Sequence, residues 1–118
     1  MATSKTSVTI IEDQFRICEG LRILIDGTRG YRCTGGFDSM EEALPNIAAR
    51  APDLVLLDIG LPGMSGIEGI PLLKQRSPQL SVVMFTVYDD DKRIFDALCA
   101  GACGYLLKET PPRVCSRA

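Results

Sequence analysis

The stretch Leu54-Val55-Leu56-Leu57-Asp58-Ile59-Gly60-Leu61-Pro62-Gly63 decides the fold. Four apolar residues run without a break into one carboxylate, and a Gly/Pro turn follows. A short apolar run bounded by turn residues reads as a strand buried on both faces, the kind found in parallel sheets. Asp58 then stands where that strand ends. This is the carboxyl edge of the sheet, where open α/β proteins place their ligands.

On either side of this strand the chain alternates between strand and helix patterns. Ser7-Val8-Thr9-Ile10-Ile11 is short and β-branched, a first strand ended by Glu12-Asp13. Phe15, Ile17, Cys18, Leu21, Leu24 and Ile25 fall at helical spacing, and Gly27 to Gly30 stop that helix. Tyr31 to Gly35 reads as a weaker strand suited to a sheet edge. Asp38 or Ser39 caps a second helix running to about Arg50, with Glu41 and Glu42 at its positive end and Pro45 in its first turns. After Asp58, Pro62-Gly63 suits the middle of a type II turn. A third helix is expected over Ile67 to Gln75, although Gly69 and Pro71 blur its start. Leu80 to Thr86 is a fourth strand. Asp89-Asp90-Asp91 opens a fourth helix with the apolar stripe Ile94, Phe95, Leu98 and Cys99. Gly104 to Lys108 is a fifth strand, and Pro111-Pro112 would begin a fifth helix.

Five βα units in regular alternation imply a three-layer, doubly wound α/β fold with a five-stranded parallel sheet. The length of 118 residues suits one domain, here 1–118 with its core over 7–110. The net charge of −2, with no basic stripe, argues against nucleic-acid binding by this segment. No apolar run is long enough to span a bilayer, and Met1 to Lys5 lack the apolar centre of a signal peptide, so a cytoplasmic location with no membrane contact is expected. The chain has five cysteines and no histidine. Without a C-x-x-C pair, they read as reduced thiols packed like small apolar residues.

In a parallel sheet all carboxyl ends share one edge. Glu12 and Asp13, Asp58, Thr86 and Lys108 each close a strand, so three carboxylates, a hydroxyl and an ammonium should meet there. Each residue alone has an ordinary reading as a cap or a solvated charge; their joint arrival at one edge is the signal. Three clustered carboxylates repel one another unless a cation neutralises them. One lysine does not balance three acids, and an all-oxygen ligand set suits Mg²⁺.

With Glu12-Asp13, the stretch from Asp58 to Gly66, Thr86, and Tyr105-Leu106-Leu107-Lys108, the chain resembles the receiver domains of two-component response regulators, in the LuxR/NarL-like group. The resemblance covers roughly residues 7–110. It implies a flavodoxin-like strand order 2-1-3-4-5. It makes Asp58 the phosphoacceptor, with a sensor histidine kinase as donor. Mg²⁺ (or Mn²⁺) would be held by Asp13, Asp58 and the backbone carbonyl of Gly60, with Glu12 acting through a water. Lys108 and Thr86 would bind the phosphoryl oxygens, Thr86 and Tyr105 would form the switch, and Gly60 and Tyr88 would tune hydrolysis. The chain would catalyse its own phosphorylation and slow dephosphorylation. Transcriptional output would pass through a DNA-binding helix-turn-helix domain, which is absent from this sequence.

Two departures from the family pattern stand out. Lys108 is followed by Glu109-Thr110-Pro111-Pro112, so a cis-proline after the lysine is not implied. Residues 111–118 are too short and polar for a covering fifth helix. Deleting one base from a family-like Pro-Pro-Ala-Arg-Leu-Leu-Glu-Ala continuation can give Pro-Pro-Arg-Val-Cys-Ser-Arg, so the tail reads as truncated, altered or non-native. An uncovered apolar patch favours association, and a homodimer through the fourth helix, fifth strand and tail is expected. The main alternative is a receiver-like interaction module that is never phosphorylated. A flavin or nucleotide carrier on the same fold would need a Gly-rich loop after the first strand, where Glu12-Asp13 stand instead. A strand-end phosphatase would need a second acid where Gly60 sits.

Overall fold

The structure, a computed structural model, describes residues 5–86 and 91–107. Strands and helices alternate: β1 Thr6–Ile11, α1 Phe15–Asp26, β2 Tyr31–Phe37, α2 Met40–Arg50, β3 Leu54–Leu57, α3 Gly66–Arg76, β4 Ser81–Thr86, α4 Asp91–Ala100 and β5 Gly104–Leu107. Neighbouring strands are all parallel, in the order β2-β1-β3-β4-β5. This is the expected sheet. The expected fifth helix and the 111–118 tail lie outside the described residues.

The register of β1, β3, β4 and β5 sorts their side chains into two faces. Ile11, Leu57, Met84 and Tyr105 stand in one row, and Ile10, Leu56, Val83 and Gly104 in the row behind it. Successive strand residues point to opposite faces. The first face carries the continuous core: Ile11, Val55, Leu57, Val82 and Met84 join Met40, Ala43, Leu44 and Ile47 of α2, Ile70 and Leu73 of α3, and Ala97 of α4. On the other face Val8 and Ile10 are buried, but Leu54, Leu56, Val83 and Phe85 are only half-buried. Helix α1 lies on this side against β1 and β2.

Helix α1 buries none of its residues fully. Ile17, Cys18, Leu21 and Ile25 of its expected stripe are half-buried, whereas Phe15 and Leu24 are 76% and 65% exposed. Helix α4 also differs from its predicted orientation. Ala97 enters the core and Ile94 is half-buried, while Phe95, Leu98 and Cys99 face solvent. The small Ala97 side chain lets the helix lie close, which turns the bulkier residues outward.

Local chemistry sets the helix starts. The Ser39 hydroxyl accepts from the Glu42 N–H at 3.1 Å and caps α2. Ser65 and Glu68 form a reciprocal capping box at the start of α3. That box begins α3 at Gly66, one residue before the expected start, despite Gly69 and Pro71. Edge strand β2 extends two residues beyond the expected Gly35. Val8 pairs with Cys33 and Thr9 with Gly35, which leaves Thr34 as a bulge.

Candidate functional site

Two strand ends build the site. Ile11 and Leu57 are register partners, so the residues after them emerge side by side. The Asp58 N–H donates to the Ile11 carbonyl at 3.1 Å, and the Glu12 N–H donates to the Phe37 carbonyl at 2.9 Å. Extending the ladders this way holds Glu12 and Asp58 rigidly at the carboxyl edge. Glu12 also accepts from the Gln14 N–H at 3.0 Å, which folds the turn into α1.

Carboxylate oxygens of Glu12, Asp13 and Asp58 all lie within 4.8 Å of one another. Glu12 and Asp58 are 3% and 6% exposed, whereas Asp13 is open to solvent. Ionised carboxylates taken out of water at such spacing need a compensating cation. The donor set is hard oxygen with one accessible ligand, which fits Mg²⁺ or Mn²⁺ and offers little to a soft metal. Gly60 follows Asp58 by two residues in the β3–α3 loop and is exposed, between the buried Ile59 and Leu61.

Thr86 ends β4, the strand beside β3, and is fully buried. Tyr105 on β5 is level with Met84 and packs, half-buried, against the core. Glu12, Asp13 and Asp58 therefore meet at the carboxyl edge, with Thr86 at the end of the neighbouring strand, whereas Tyr105 stands within β5, two rows behind Thr86. Lys108 and Tyr88, also expected there, lie outside the described residues.

Gly66 was missed as a site-building residue. A Cβ on it would stand 2.1 Å from the Asp58 carbonyl oxygen and 2.8 Å from its carbonyl carbon. Its N–H donates to the Ile59 carbonyl at 3.0 Å. The first turn of α3 thus rests directly on the backbone of Asp58, which only glycine permits. The available signal was a glycine immediately after an N-cap serine, in a S-x-x-E pattern.

A groove of about 300 Å³ runs from Glu12 and Asp13 between α1 and β2, past Phe15, Cys18 and Cys33. Burial pushes both thiols above their ordinary pKa. The neighbouring Cys33 adds to the effect at Cys18, and a hydrogen bond with the Gly35 backbone partly offsets it at Cys33. All four described cysteines are free, but Cys99 and Cys103 are exposed and do not act as packed apolar residues. Helix α4 and the turn into β5 present them outward.

Residues 8–117 match the family described as the response regulator receiver domain. The chain belongs to that family. It is 31% identical over 106 residues to the nitrate/nitrite response regulator protein NarL of Escherichia coli, covering 90% of this chain and 49% of that protein. It is 32% identical over 111 residues to the DNA-binding transcriptional activator DevR/DosR of Mycobacterium tuberculosis, covering 94% of this chain and 51% of that protein. The chain thus spans about half the length of such curated relatives. A LuxR-family two-component response regulator from Aurantimonas superposes with a TM-score of 0.86 at 29% identity, covering 98% of this chain and 82% of that one. The receiver domain of a NarL-type regulator from M. tuberculosis gives a TM-score of 0.84 at 27% identity, covering 97% and 94%. This is therefore a receiver domain of the LuxR-family response-regulator type. Such receivers typically bind Mg²⁺ and work with sensor histidine kinases. Among the described residues, no helix is long and apolar enough to cross a membrane.

Proposed function

We propose that this receiver accepts a phosphoryl group on Asp58 from a sensor histidine kinase. The meeting of Asp58 with Glu12 and Asp13 within 4.8 Å at one sheet edge carries the proposal. An Asp58 carboxylate oxygen attacks phosphorus, the phosphorus–nitrogen bond of the donor's phosphohistidine breaks, and an acyl phosphate forms. Phosphoryl transfer asks mainly for placement and charge neutralisation. Asp13, Asp58 and the Gly60 carbonyl would hold Mg²⁺ or Mn²⁺, with Glu12 reaching it through a water. A bound divalent cation supplies positive charge beside the transferred group. Lys108 would add a second positive charge, and the Thr86 hydroxyl would donate to a phosphoryl oxygen. Drawing Thr86 toward the phosphoryl group would bias the ring of Tyr105, a local charge event moving a two-state element. Gly60 and Tyr88, two residues beyond Asp58 and Thr86 in sequence, would tune the lifetime of the acyl phosphate.

The same reading places residues 7–110 as the receiver core, acting in the cytoplasm. Relatives bear the names of transcriptional regulators, and we extend their kind of output to this chain through a DNA-binding segment beyond these residues. Exposed Phe95, Leu98 and Leu106 on α4 and β5 support a homodimer through that face; light scattering at rising concentration tests it, and a strict monomer removes it.

Labelling by acetyl phosphate tests the central claim. Wild-type chain should label only with Mg²⁺ or Mn²⁺, and Asp58→Asn should not label at all. Asp13→Ala should weaken metal binding by more than Glu12→Ala. Undiminished labelling of Asp58→Asn would refute the assignment and leave a phosphorylation-independent module as the better reading.

A further inference from the structure

The β3–α3 loop carries Gly60, and most of its ties lie within the loop or α3. Among the described residues, a hydrogen bond from α2 also reaches it. The Met64 N–H donates to Oε2 of Glu41, on the first turn of α2, at 3.0 Å. Gly63 makes room for this bond. Its φ is +74°, and a Cβ there would stand 2.6 Å from that same carboxylate oxygen. Glu41 also stands on a fixed base. The adjacent Met40 is fully buried, and its thioether lies so close to Gly69 of α3 that a Cβ on Gly69 would meet Met40 Cε at 2.4 Å. The Ser39 cap closes the helix on the other side. The loop between Asp58 and α3 is therefore held at its far end by Gly66 and, two residues earlier, at Met64 by Glu41.

We propose that Glu41 is a positioning residue for the metal site: by holding the Gly63–Met64 peptide it fixes the loop that presents the Gly60 carbonyl beside Asp58. This rests on the reading of Glu12, Asp13, Asp58 and Gly60 as the metal-binding set. Glu41 itself touches neither metal nor phosphoryl group. Its carboxylate works as a hydrogen-bond acceptor, so an amide oxygen in the same place can substitute for it. Residues behind a metal's ligands commonly govern affinity through orientation in this way.

The test is Mg²⁺ titration of the unphosphorylated chain, followed by NMR or intrinsic tyrosine fluorescence, with thermal melts alongside. Glu41→Ala should weaken Mg²⁺ binding about fivefold, the equivalent of one ordinary hydrogen bond, with little change in melting temperature. Glu41→Gln should restore wild-type affinity. Glu42→Ala removes the neighbouring carboxylate, which accepts from the Asp38 N–H instead, and should leave affinity unchanged. Gly63→Ala should weaken binding, and combining it with Glu41→Ala should cost less than the sum of the two. Equal losses in Glu41→Ala and Glu41→Gln would assign the effect to charge and overturn the proposal, as would unchanged affinity in Glu41→Ala. Asp13→Ala separates the two levels of the reading. If it also leaves Mg²⁺ affinity unchanged, the metal site itself is wrong; if it alone weakens binding, only the role of Glu41 is.

Discussion

Leu56 and Leu57 are neighbours of the same type on the same strand, yet they live in different surroundings. Leu57 is fully buried between the sheet and the α2–α3 layer, whereas Leu56 is half-buried on the α1 side. The contrast repeats along the sheet. Val55, Val82 and Met84 are fully buried, while Leu54, Val83 and Phe85 keep part of their surface in water. Strand pattern alone does not distinguish the two faces, because both are apolar. The number of helices laid across each face does. Among the described residues, α2, α3 and α4 contribute to one core and α1 alone serves the other side, over β1 and β2.

This asymmetry predicts unequal truncation costs. Leu57→Ala leaves a closed cavity and should destabilise the chain by about 3 kcal/mol, within the usual range for a buried leucine. Leu56→Ala loses less burial and opens onto solvent, so about 1 kcal/mol is expected. Urea denaturation of both variants measures the difference. Equal costs would mean that the α1 face is as well covered in solution as the other, and the contrast would fall.

The glycines sharpen the same comparison. Gly66, on the α3 side, faces the Asp58 backbone at 2.1 Å from its would-be Cβ. Gly36, on the α1 side, faces the Cys18 sulfur at 2.8 Å. Backbone cannot move aside without shifting β3 or α3, but a half-buried thiol can rotate away. Gly66→Ala should therefore cost about 2 kcal/mol, in the range of overpacking, and should strongly reduce phosphoryl acceptance by displacing Asp58. Gly36→Ala should cost under about 1 kcal/mol and leave labelling near wild type. Melting curves and acetyl phosphate labelling on the same samples separate stability from site geometry.

How much of this was readable from sequence differs between the same regions. The run from Leu54 to Leu57 ending on Asp58 announced both the central strand and the acid at its tip, because an unbroken apolar run fits few other structures. Parallel strands put Glu12-Asp13 on the same edge as Asp58, and the strand order implied by the family resemblance set them side by side. The outward turn of Phe95, Leu98 and Cys99 was not readable. Helical spacing tells which residues share a face, but not whether a small residue such as Ala97 brings a different face to the core. The contact of Gly66 with Asp58 depends on tertiary approach, and the Ser65-x-x-Glu68 capping pattern, which marks the start of α3 one residue before the expected Ile67, was not read from the sequence. Glu41 looked like a helix-dipole residue, and nothing local linked it to Met64, 23 positions away.

The smallest expected effect concerns the thiols, and it tests how dry the lightly covered face is. Burial raises the pKa of Cys18 and Cys33 above the ordinary 9.0. Below that value both states carry the proton and the thiols add no pH dependence. As pH rises past it, the unfolded chain loses these protons more readily than the folded one, so the unfolded state is favoured. Stability should decline slightly above pH 9, and the part due to these thiols should disappear in Cys18→Ala/Cys33→Ala. At neutral pH the folded chain should react with a thiol-specific alkylating reagent first at exposed Cys99 and Cys103, and more slowly at Cys18 and Cys33. Peptide mapping after brief alkylation gives the order. Reaction at Cys18 as fast as at Cys99 would show that the groove between α1 and β2 is wet throughout, and that α1 shields β1 and β2 less than the half-burial of its inner residues implies.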